Sequence, residues 1–167
     1  MRFAELWTSS FLPGEFQGSY INTSQLDPQK MIPFLRNEST TPADQRRQLD
    51  LMRALNEEHL SVRGPDAALE ARIKTFESAF RMQFEASDAF DINRETMETR
   101  TLYGDTPFAH GCLIARRLAE RGVRLTQVYY GNGQPWDTHS NHDESVRALA
   151  KDIDQPIAAL LADLKRL

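Results

Sequence analysis

The residues of this chain best suited to chemistry lie in the run Trp136-Asp137-Thr138-His139-Ser140-Asn141-His142-Asp143, where two of the four histidines and two carboxylates fall within seven positions. In extended backbone, residues i and i+2 project to the same side, so Asp137 and His139 can address one ion. A carboxylate oxygen beside a neutral imidazole nitrogen suits Zn²⁺, Mn²⁺ or a similar borderline ion. Additional oxygen ligands would move the preference to Mg²⁺ or Ca²⁺. His142 is the next metal candidate and Asp143 another, with capping of the following helix as the competing role of both. Two ligands fall short of a tight zinc site, which takes about three or four. The same triplet is also ordinary solvated turn chemistry.

Elsewhere the reactive residue types read as structure. Cys112 sits on the apolar stripe of a helix and reads as core. A single cysteine allows no internal disulfide. His59 and His110 are isolated and read as surface or as satisfied core. Arg116-Arg117 reads as a solvated face, not a phosphate clamp. Thr8, Ser9 and Ser10 have no neighbouring base to activate a nucleophile. The sequence contains no glycine-rich phosphate loop and no Ser-His-Asp pattern.

The elements that must position the loop follow from periodicity and caps. Residues 1–40 read as an irregular, aromatic-rich segment, with Trp7, Phe11, Phe16, Tyr20 and Phe34 among Pro13, Gly14, Gly18, Pro28 and Pro33. Thr41-Pro42-Ala43-Asp44 is a capping box with proline at the first helical position, predicting a helix that ends near Leu60. Gly64-Pro65 breaks it. A second helix is expected from about Asp66 to Ala86, on the stripe Leu69, Ile73, Phe76, Phe80 and Phe84. Together the two make a helical hairpin over 41–87. A short helix is expected at 93–102 and a third long one at about 107–121, stopped by Gly122.

The β-branched and aromatic run over 123–130 then reads as a strand, giving the αβ half of a parallel crossover unit. The loop Gly131-Asn132-Gly133-Gln134-Pro135 follows. A fourth helix at about 142–166 carries Val146, Leu149, Ile153, Ile157, Leu160 and Leu164, with Pro156 inside it. Residues 106–167 thus read as helix, strand, candidate metal loop and helix. Ligands in open α/β sheets sit at the carboxyl ends of strands, which is where this loop falls.

One strand cannot make a sheet, so the reading requires a sheet completed by residues outside the chain, and treats residues 1–167 as one partial domain. The uncovered aromatic and apolar surface makes self-association the expected behaviour. A net charge of -4 disfavours nucleic acid. No apolar run approaches the roughly 20 residues of a membrane span. Residues 1–10 carry neither a basic start nor an apolar run of the signal-peptide kind.

The order of several segments resembles a large bacterial family catalogued as domain of unknown function 1501. These include Ser10-Phe11-Leu12-Pro13-Gly14-Glu15-Phe16-Gln17-Gly18, Arg47-Gln48-Leu49-Asp50-Leu51, Glu70-Ala71-Arg72-Ile73, Ala115-Arg116-Arg117-Leu118, Arg121-Gly122-Val123-Arg124, Trp136-Asp137-Thr138-His139 and Asp154-Gln155-Pro156-Ile157. That group looks like a sulfatase-like branch of the alkaline-phosphatase superfamily. The resemblance implies an α/β fold, a three-layer αβα arrangement of which this chain is a mostly helical internal fragment. It implies divalent metal ions at the strand ends, with Asp137 and His139 among several ligands. It implies hydrolysis of sulfate or phosphate esters, of small molecules or of carbohydrates, with a nucleophile outside this chain and little activity expected of the chain alone. Export to the periplasm or beyond is a further implication of the resemblance. The alternative is a non-enzymatic binding or structural domain on a degenerate hydrolase fold.

Overall fold

The computed structural model describes residues 12, 16, 18–32, 38–131 and 133–167, with the side chains of residues 82 and 84–87 left aside. Trp7, Phe11, Pro13, Gly14 and Phe34 of the aromatic segment lie outside the described residues, as do Thr8, Ser9 and Ser10. So does the side chain of Phe84. The elements are α1 (Pro28–Met31), α2 (Pro42–Arg63), α3 (Ala67–Phe90), a 3-10 turn (Ile92–Arg94), α4 (Met97–Tyr103), α5 (Pro107–Glu120) and α6 (His142–Leu164). They divide into two compact units, residues 1–21 with 32–87 and residues 22–31 with 88–167.

In the first unit, α2 opens on Thr41, whose hydroxyl oxygen accepts from the Asp44 amide at 3.2 Å and donates to the Asp44 carboxylate at 2.6 Å. This satisfies one of the free donors of the first turn. Gly64 ends α2 at φ +83°, a left-handed value that a side chain would strain. Asp66 then accepts from the amides of Ala68 and Leu69, both at 3.0 Å, and starts α3. Arg53 pairs with Glu77, and the Arg46 guanidinium lies 5.7 Å from the centre of the Phe80 ring. The earlier residue of α2 meets the later residue of α3, so the helices run antiparallel.

The second unit is built on α5. Thr96 and Thr106 cap α4 and α5, accepting from the amides of Thr99 and Ala109. The exit of α5 is a Schellman turn: Val123 N–H donates to Leu118 C=O at 3.0 Å and Gly122 N–H to Ala119 C=O at 2.9 Å, with Gly122 at φ +81°. Leu113, Ile114, Cys112 and Ala109 are buried, with Tyr103, Phe90, Ile92, Met31 and Ala159 around them. In α6, Pro156 is buried, and Gln155 donates to the carbonyls of Thr101 and Leu102 at 2.9 and 3.0 Å, tying α6 to the end of α4.

The expected strand is not there. Among the described residues there is no strand or bridge, so the α/β, three-layer αβα reading with a parallel strand at about 123–130 is corrected to a helical architecture. Residues 123–127 and 129 are exposed, Leu125 at 87%. The physical reason is that β-branched and aromatic composition reports fitness for a packed, pleated surface, not an intrinsic strand. A strand needs a neighbouring strand to make a ladder, and none is present among the described residues. The segment is held instead by side chains. Val128 lies so close to α5 that a Cβ at Gly111 would come within 3.0 Å of its Cγ1. The Tyr130 ring sits 5.4 Å from that of Phe108, edge to face.

Candidate metal centre

The loop after this segment is fixed at both ends. Gly131 and Gly133 take φ of +66° and +78°, and Pro135 packs against Gly131. The Tyr130 hydroxyl donates to Asp152 Oδ2 on α6 at 2.8 Å, and its ring lies 5.7 Å from that of Trp136. Burial, and then the Asp152 carboxylate, hold the Tyr130 phenol above its ordinary value, so it remains a donor. The Asp137 amide donates to Gln134 C=O at 3.0 Å, and the Thr138 amide to Trp136 C=O at 3.1 Å.

On this turn Asp137 Oδ1 and His139 Nε2 stand 3.3 Å apart, with both side chains largely in solvent. Two donors each about 2.0–2.2 Å from one tetrahedral ion are separated by ~3.4 Å, so the pair fits the edge of a zinc-like coordination shell. His142 is drawn elsewhere: its Nδ1 is 2.5 Å from the Thr138 hydroxyl, which leaves Nε2 as the other ring nitrogen. Neither His142 nor Asp143 caps α6. The cap position is Asn141, left-handed at φ 50° and without a side-chain hydrogen bond. Among the described residues no group of three or more His, Cys, Asp or Glu side chains is placed to share an ion.

The remaining sequence candidates resolve as follows. Cys112 is buried in the core of the second unit, and burial pushes its thiol up to about 11. His110 is also buried and pairs with Asp105 at 2.9 Å. His59 is half-buried on α2.

Arg116-Arg117 is not a solvated face. Arg117 is 5% exposed; it donates to the carbonyls of Ala89 and Asp88 at 2.9 and 2.7 Å and pairs with Glu95. Arg116 is paired with Glu95 at 2.6 Å and Glu120 at 2.7 Å, and lies 3.7 Å from Asp163. Asp163 also accepts from the fully buried Tyr103 hydroxyl at 2.8 Å and pairs with Arg166. Sequence reasoning missed this network, and it missed the Tyr130–Asp152 bond that steadies the loop. The one local signal was the aromatic pair Tyr130 and Trp136 flanking the glycine loop.

A family described as "Protein of unknown function (DUF1501)" matches residues 2–167. No curated protein and no solved structure matches the chain.

Proposed function

The chain belongs to the DUF1501 family, and from that premise we propose that it contributes a metal-binding loop to a hydrolase of sulfate or phosphate esters. The observation that carries this reading is the 3.3 Å approach of Asp137 Oδ1 to His139 Nε2 on a loop pinned at Tyr130 and Trp136. The sulfatase-like resemblance of the Trp-Asp-Thr-His run supports the ester class. Asp137 and His139 would hold the ion, while His142, the first residue of α6, is tied to Thr138 and stands apart from the pair. A bound divalent ion supplies polarisation of the ester oxygen and activation of a nucleophile. The chain's own part is to keep the two donors at one edge of the ion. Thr138, through His142, and Tyr130, through Asp152, limit how far the loop can spread.

Calorimetric titration of the chain with Zn²⁺ and with Mn²⁺ tests the reading. Wild type should bind one ion weakly, and His139→Ala should bind none. Equal binding by wild type and His139→Ala sinks the assignment. Metal binding by the natural full-length protein without hydrolysis of 4-nitrophenyl sulfate or 4-nitrophenyl phosphate would favour the non-enzymatic binding domain instead.

A further inference from the structure

We propose that α6 pairs antiparallel with α6 of a second copy of this chain, through Ile157, Leu161 and Leu164. These three side chains are exposed and recur at i, i+4 and i+7, which sets them in one stripe. The side of α6 that packs within its own unit is a different one and carries Pro156, Ala159 and Asp163, all buried. Pro156 and Asp163 each precede a stripe residue. At about 100° per residue, the stripe lies well round the helix from the packed side. A helix with apolar residues on two sides has a second side to cover.

The flanking charges choose the occupant. Asp154 lies about one turn before Ile157, and Lys165 follows Leu164; both are exposed. If Ile157 of one copy packs on Leu164 of the other, with the two Leu161 side chains between, the helices run antiparallel. Asp154 of one copy then stands within about 3 Å, along the axis, of the level of Lys165 of the other. The two-fold repeats that pair at the far end. A parallel pair would set Asp154 level with Asp154 and Lys165 level with Lys165. Antiparallel packing also brings opposite ends of the helix dipoles together.

Two competing surfaces fit less well. Helices that lie on anionic membranes have a basic polar face. By contrast, α6 carries five carboxylates and two basic residues. The exposed stripe of α2 is a poorer seam, because Glu58 falls between Leu55 and Val62. The pairing uses the C-terminal half of α6, so the two His142 residues stand about 55 Å apart, at opposite ends. It is therefore independent of the metal reading above.

Three apolar side chains per copy make an interface well below the roughly 800 Å² per partner of a standard complex, so the dimer is weak, with a Kd on the order of 100 µM. Sedimentation velocity of the 167-residue chain, in EDTA and from about 5 µM to about 1 mM, tests it. Wild type should pass from monomer to dimer over this range. Leu161 is 54% exposed, so Leu161→Glu should keep the wild-type circular dichroism and stay monomeric. Asp154→Lys should weaken the dimer about tenfold. Adding Lys165→Asp to it restores the pairs in reverse and should recover the dimer. A wild-type chain that stays monomeric throughout overturns the proposal. So does a dimer that survives Leu161→Glu, or one abolished by Leu51→Gln with Leu55→Gln. A dimer lost in Leu161→Glu but indifferent to Asp154→Lys overturns the antiparallel pairing.

Discussion

The hairpin of α2 and α3 and the helical unit of residues 88–167 are both made of well-capped helices, yet they are held by different means. In the hairpin the ion pairs are at the surface: Arg46 with Asp50, Arg47 with Asp44, Arg53 with Glu77. Up to residue 87 its buried hydrophobic residues are few, Leu49 and Ile73 among the described ones, while Leu51, Leu55, Val62 and Phe76 face water. In the other unit, apolar side chains of α5 are sealed. The charges beside them are sealed too, with Glu95 between Arg116 and Arg117 and Asp163 between Tyr103, Arg116 and Arg166. Capping and helix propensity are common to both, so they cannot explain the difference. What differs is whether the polar groups are desolvated, because a desolvated pair that loses one member leaves an uncompensated charge.

The sharpest way to break the comparison is to remove one arginine from each unit. Arg117→Ala leaves Glu95 with Arg116 alone, strands the carbonyls of Asp88 and Ala89, and should cost about 3–5 kcal/mol. Arg53→Ala removes an exposed partner of Glu77 and should cost about 0–1 kcal/mol. Urea titration followed by circular dichroism reads both. Equal losses would mean that the buried network is no more than a row of surface pairs.

Next in size is Tyr103→Phe, which deletes a buried donor to Asp163 and should cost about 1–3 kcal/mol. Its pH dependence sharpens the point. Burial alone would raise the Asp163 carboxyl, but the Tyr103 hydroxyl and the charges of Arg166 and Arg116 outweigh it and hold the group low. A depressed carboxyl contributes stability above its unfolded value, about 4, and loses it as pH falls through the folded value. Burial, and then Asp163, push the Tyr103 phenol far up. A raised phenol contributes stability below about 10 and loses it as pH climbs beyond. Thermal melts across pH should therefore fall at both extremes in wild type. Tyr103→Phe should flatten the alkaline fall; an unchanged alkaline limb would remove Tyr103 from the account.

The contrast also marks what was readable in the chain. Thr41, Gly64, Thr106 and Gly122 signal helix ends through interactions within about five residues, and α2 and α5 were legible from them, as α6 was from its apolar stripe. The approach of Asp137 to His139 was legible for the same reason, since spacing i, i+2 is local. Residues 123–130 were misread because composition was taken for pairing, and pairing is a non-local fact. Arg117 was misread because its partners lie 22, 28 and 29 residues away, at Glu95, Ala89 and Asp88, where no local pattern reaches. Tyr130 and Asp152, 22 residues apart, escaped in the same way. Local chemistry was visible, and the supports that hold it in place were not.

The smallest expected effect is in the hairpin. Leu51 and Leu55 are 60% and 58% exposed, one turn apart on α2. Replacing an exposed leucine by glutamine removes little buried area and keeps a good helix former, so helix propensity is nearly unchanged. Leu51→Gln and Leu55→Gln, singly or together, should each shift stability by no more than about 0.5 kcal/mol. The double variant should also behave better at high concentration, because two adjacent exposed leucines extend an apolar surface that favours association. Thermal melting and light scattering at two concentrations separate the outcomes. A clear loss of stability that grows with protein concentration would mean that a second copy covers this face. The hairpin would then be cored across an interface, and its difference from the helical unit would lie in where its partner comes from, not in how it is held.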